Sequence, residues 1–188
     1  MSRWPLVVVT LLVAVSAGGP LLAAPPDVTI KAYTLPEMVA EADGAVFGQI
    51  VASRVTRVDD AVDGPELYFT TLTLEGRAIP SGSPLSIDVT FAGGFISEKE
   101  GVHNSEAPSA DDVKIGNKVV AFYKWADNLG GHVSGNALMA AHGGLYRTVD
   151  GLSDSVVLGR GQGYAIERNV KLTDLDKAVR GFHPPKRK

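Results

Sequence analysis

The chain has 188 residues, 45% of them hydrophobic and 21% charged, with a formal net charge of −3 and no cysteine. These values describe a globular protein long enough for one domain with its own core, and they give no global attraction to nucleic acid or to an anionic membrane. The missing cysteine excludes disulfides, thiolate metal ligands, a cysteine nucleophile and lipoprotein anchoring, so burial must hold the fold.

Residues 1–24 predict a secretory signal peptide. Arg3 supplies the positive start, Leu6 to Val15 the apolar run, and Ala17, Ala23 and Ala24 the small residues where cleavage is expected. A membrane span needs about 20 apolar residues, and Gly18, Gly19 and Pro20 interrupt this run early, so no stable insertion is expected after cleavage. Residues 25–33 read as a linker stiffened by Pro25 and Pro26, residues 34–181 as the single domain, and residues 182–188 as a disordered basic tail.

The domain opens on a helix and a strand. Thr34 and Glu37 have capping-box spacing, Pro36 is tolerated in the first turn, and Leu35, Met38, Val39 and Ala42 form one apolar stripe. Gly44 is expected to end the helix in a left-handed conformation. Ala45 to Val51 is almost wholly apolar, which predicts a strand covered on both faces, bent at Gly48. On that reading, Val51→Asp buries an unpaired charge. Ser53 to Val58 is mixed, with Arg54 and Arg57 toward solvent.

Asp59 to Pro65 reads as a polar connection, Leu67 to Leu74 as a second strand, and Pro80 to Pro84 as a turn. Leu85, Ile87, Val89 and Phe91 alternate with Ser86, Asp88 and Thr90, the signature of a half-buried strand ended by Gly93 and Gly94. Glu98 to Asp112 lacks periodicity and predicts a long acidic surface loop. Val119 to Trp125 is a fourth strand, and His132 to Met139 and Leu145 to Val149 are weaker ones. Val156 to Leu158 and Tyr164 to Ile166 are short closing pieces. Thr173 to Val179 predicts a final helix, with Thr173 and Asp176 as a second capping box and Gly181 after its end.

Several of these landmarks recur in order. They are Thr34-Leu35 with Glu37, Ala42-Asp43 with Val46, Gly48 and Val51, the Ile79 to Gly82 turn, Gly93-Gly94, Val113 and Ile115-Gly116 with Val119 to Phe122, and Gln162-Gly163-Tyr164. Together they resemble a set of exported bacterial proteins of unassigned function, in which a short helix precedes an oligonucleotide/oligosaccharide-binding-like (OB-like) β-barrel. Pro80-Ser81 departs from that set, which tends to have lysine there. A looser similarity links Ala42 to Val51 with the first barrel strand of secreted metalloproteinase inhibitors. Those inhibitors reach the metal with an N-terminal cysteine, which this chain lacks, so an inhibitor reading is fold analogy alone.

Motifs that carry chemistry are sparse. His132 and His142 flank a predicted hairpin and are the candidate metal ligands, although a zinc site normally takes three or four ligands and no HExxH is present. His103 lies in the polar loop and is expected to be solvated. Ser134, His142 and Asp150 compose a nucleophilic trio on paper, without the G-x-S-x-G elbow that would place them. Glu98, Glu100, Glu106, Asp111 and Asp112 make the loop acidic, but paired catalytic carboxylates need a fixed separation. Asp59 to Gly64 resembles a calcium loop, yet Ala61 and Thr70 stand where oxygen ligands are required. Gly159 to Gly163 is glycine-rich and lacks the P-loop lysine, so it reads as a bend. Tyr68, Phe69, Phe91, Phe122, Tyr123 and Trp125 mostly alternate like core residues rather than forming a stacking groove for nucleic acid.

The expected protein is therefore mostly β: a small OB-like closed or partly open β-barrel with a short N-terminal and a short C-terminal helix, secreted or periplasmic. Its expected role is a non-catalytic binding module for a protein or carbohydrate, with no cofactor and no catalytic residue assigned. The alternatives are a secreted enzyme, metal-dependent through His132 and His142, or a protease-inhibitor-like protein.

Overall fold

The computed structural model describes residues 32–182. The expected signal peptide, most of the linker and the tail beyond Phe182 lie outside the described residues. The elements in order are α1 (Leu35–Glu41), β1 (Gly44–Asp60), β2 (Gly64–Ile79), β3 (Pro84–Ala92), β4 (Gly94–Ser97), β5 (Glu100–Val102), β6 (Lys118–Ala126), β7 (Gly135–Leu138), a 3-10 turn (Ala141–Gly144), β8 (Leu145–Asp150), β9 (Ser155–Val157), β10 (Val170–Lys171) and α2 (Leu172–Phe182).

Five strands close a barrel in the order β1-β2-β3-β7-β6, with β6 pairing back onto β1. All five contacts are antiparallel except β3 with β7, which meet in parallel at Thr90 and Ala137. That is an OB-like barrel. From β6 the sheet continues outward through β8, β9 and β10.

Two cores hold it. The barrel interior is filled by Val46, Ile50, Leu72, Leu74, Val89 and Val119, all 0–1% exposed. A second core collects Met38, Val39, Phe122, Tyr146, Leu175 and Val179, with both helices contributing to it. Tyr146 packs edge-on to Phe122, ring centroids 6.4 Å apart, and its hydroxyl accepts from the Ile166 amide. Among the described residues no buried side-chain polar atom lacks a partner.

The capping box forms as expected, with the Thr34 hydroxyl accepting from the Glu37 amide and Glu37 accepting from the Thr34 amide. Other expectations are corrected. The helix ends at Ala42 in an extended conformation, and Gly44 is already strand. Val51 is 38% exposed, whereas Ile50 is fully buried. A barrel strand keeps one face inward, and a register shift between Ile50 and Ala52 carries Val51 out of the ladder. The irregularity therefore falls at Val51, not at Gly48.

The connection expected over 59–65 is instead a tight turn between strands of 17 and 16 residues. Asp60 makes it by accepting from the amides of Val62 and Asp63, and Asp59 accepts from Glu66. The acidic loop begins with a small hairpin, β4–β5. Tyr164 to Ile166 is not a strand. The second capping box does not form: Asp154 Oδ2 accepts from both the amide and the hydroxyl of Thr173. Gly181 lies inside α2 rather than beyond it.

Candidate ligand groove

The paired ends of β1 and β2 carry apolar side chains on both faces, and each face needs a cover. One cover is the loop between β6 and β7. Its Gly131 amide donates to Asp63 Oδ2 at 2.7 Å, and Gly130 and Gly131 pack against Phe69, Leu67 and Val58. OB barrels bind oligonucleotides and oligosaccharides on the strand 2–3 face, between the first-hairpin loop and the loop joining the last two strands. Here that region of β2 is occupied by the chain's own loop.

The other cover is the β4–β5 hairpin, which lies over β1 and β2. Thr70 Oγ1 donates to the Gly93 carbonyl at 2.6 Å, and Asn104 Nδ2 donates to the Ala92 carbonyl at 3.0 Å. Gly94 has φ +135°, and a Cβ there would run into Thr70 Oγ1 and Val55, so the hairpin can lie this close only with glycine at its base. It leaves a groove of about 690 Å³, with Val55, Thr70 and Phe91 as floor, Phe95 and Val102 from the hairpin, and Ala107 and Pro108 from the following loop. His142, Arg160 and Tyr164 line the same groove.

Those three side chains hold one another. The Glu106 carbonyl accepts from both the backbone amide of His142, at 2.8 Å, and its Nδ1, at 3.0 Å. A carbonyl only accepts, so Nδ1 carries the proton and, in the neutral ring, Nε2 accepts from the Tyr164 hydroxyl at 3.0 Å. Arg160 Nη1 donates to the carbonyls of His142 and Leu145 at 2.7 and 3.1 Å. Its guanidinium sits 5.2 Å from the Tyr164 ring centre, and Nη2 is 3.5 Å from Asp112. A second cavity of about 210 Å³, lined by Tyr33, Met38 and Gln162, shares His142 and Tyr164 with the groove.

The sequence-derived candidates separate. His132 is 79% exposed at the side chain, 3.5 Å from Asp60, while His142 is engaged with Glu106 and Tyr164. Each histidine has its own partners, and among the described residues no cluster of three or more His, Asp or Glu is arranged to hold a metal ion. Ser134 is exposed and Asp150 is bonded to Lys118, so neither is a partner of His142. His103 is exposed at the groove's rim. The acidic residues are spread over separate ion pairs: Glu100 with Arg57, Asp112 with Arg160, and Asp111 with Lys114. The hydrogen bond from Lys114 holds the Asp111 carboxyl below its ordinary range.

Arg160 and Tyr164 are the residues that sequence reasoning missed. Their signal was an arginine set between glycines, in Gly159 to Gly161, just before an aromatic. The glycine run admits a close approach: Gly159 lies against the Arg168 backbone, and the Arg160 amide bonds to the Ile166 carbonyl. Searched against known protein families, curated proteins and solved structures, the chain matches none of them.

Proposed function

We propose that this chain is an exported, non-catalytic binding module that takes its ligand in the groove beneath the β4–β5 hairpin. The observation that carries the reading is the groove itself, an apolar trough meeting a fixed cluster of His142, Arg160 and Tyr164. Ligand sites are typically concave and largely apolar, with a few converging polar groups. Both ring nitrogens of His142 are engaged in hydrogen bonds that tie two loops together, which favours holding a shape over transferring protons. Export rests on the signal-like pattern of residues 1–24. The barrel agrees with the resemblance to exported OB-like proteins.

The test is a ligand-detected NMR screen of the protein beside Ala110→Trp, which places a large side chain at the groove's exposed rim. The reading expects compounds that bind the wild type, lose affinity for Ala110→Trp and are recovered chemically unchanged. A compound consumed by the protein would overturn the non-catalytic reading.

A further inference from the structure

We infer that the groove takes an apolar small molecule ending in a carboxylate, of which a medium-chain fatty acid is the simplest. The inference rests on the groove being the binding site. Among the residues lining it, Arg160 is the one permanently charged side chain, and no carboxylate lines it. Charge complementarity therefore asks for an anionic end and an uncharged body. The guanidinium is aimed by its Nη1 bonds to His142 and Leu145. Its contact with Asp112, at 3.5 Å, is longer than the ~2.7–2.9 Å of a close charged hydrogen bond. Nη1 is committed to the two carbonyls, and a ligand carboxylate can compete with Asp112 for Nη2.

The rest of the groove fits the apolar part. Phe95 is 54% exposed and Val102 44% exposed, on the hairpin that forms one wall. Large apolar side chains exposed together beside a cleft mark a surface that a ligand covers. The volume, about 690 Å³, lies within the ~300–1,000 Å³ usual for small-molecule sites.

Calorimetric titration with decanoate, decanol and decylamine, which share one chain and differ in their head group, tests this. Decanoate should bind about tenfold or more tighter than decanol, and decylamine weakest. Ala110→Trp should weaken all three, and Arg160→Gln should erase the advantage of decanoate while leaving decanol binding in place. Arg160 also bonds two carbonyls, so if Arg160→Gln fails to fold, the wild-type ranking with Ala110→Trp decides alone. Decanol binding as tightly as decanoate would overturn the carboxylate assignment and leave the groove reading standing. Binding of none of the three would overturn the inference, and the groove reading would then be decided by the screen with Ala110→Trp.

Discussion

Gly48 and Gly76 stand opposite each other in the β1–β2 ladder, so close that neither has room for a side chain. A Cβ on Gly48 would lie 2.7 Å from the Glu75 carbonyl oxygen, and one on Gly76 would meet the Phe47 carbonyl and lie 2.5 Å from the Gly48 Cα. These are backbone atoms, which cannot turn aside as a long side chain can. Gly48→Ala and Gly76→Ala should each cost about 1–3 kcal/mol, the range for overpacking, read from urea unfolding. An unchanged midpoint for Gly76→Ala would show that the strands can separate there without loss.

The bulge at Val51 makes a second contrast. Ile50→Asp places a charge in the barrel interior, where Ile50 is fully buried, and should remove several kcal/mol of the ~5–15 that a domain holds. Val51→Asp, one residue on and 38% exposed, should stay within about 0.5 kcal/mol of wild type. Thermal melts of the two variants separate the assignments, and equal losses would place Val51 inside.

This pair also shows what the sequence could and could not say. The capping box of Thr34 and Glu37 and the alternation of β3 were legible because both depend on neighbours within a few residues. The apolar run from Ala45 to Val51 misled because Val46, Gly48 and Ile50 take the inner face and Val51 alternates outward although it is apolar. The aspartates of 59–63 read as an open connection because their turn-making bonds go to backbone amides. The groove was not legible at all. Glu106, His142, Arg160 and Tyr164 come from three separate loops, and only the closed barrel brings them together.

A third prediction concerns the tie between α2 and the barrel. Arg77 Nη2 and Asp176 Oδ2 are 2.7 Å apart, with side chains 30% and 19% exposed. The same guanidinium lies over the Phe47 ring. Asp176→Ala leaves that cation without its carboxylate and should cost about 1.5–3 kcal/mol, the range for hydrogen bonds to charged groups. Chemical denaturation measures it, and a loss confined to α2 would appear as faster amide exchange in Leu172 to Phe182 alone.

The acid limb of stability should include Asp88. The Thr73 hydroxyl, at 2.6 Å, and then Arg54 hold its carboxyl below the ordinary carboxylate range. A group depressed in the folded state contributes stability above its unfolded value, near 3.9, and loses it as pH falls through the lower folded value. Asp88→Asn should therefore be less stable than wild type at neutral pH, with the difference shrinking on acidification. The Asp88 side chain is 44% exposed, so the effect is small. A carboxyl NMR titration giving Asp88 a midpoint at or above about 3.9 would contradict this.

His142 ties the loop that carries Glu106 to the loop that carries Tyr164. His142→Ala removes the Nδ1 bond to the Glu106 carbonyl, which keeps only the backbone amide of residue 142, and takes away the acceptor of the Tyr164 hydroxyl. Amides of residues 104–112 should then exchange faster while those of β1 to β3 keep their protection. Uniform loss of protection across both would mean that the cluster supports the barrel rather than the groove wall.

The groove is the centre of the account, and amide chemical-shift mapping of the labelled protein during titration with decanoate tests it most directly. The account predicts perturbations gathered at Gly94, Phe95, Val102, Ala107 and Tyr164. Perturbations gathered instead at Leu67, Phe69 and Gly131, where the β6–β7 loop lies on β2, would contradict it.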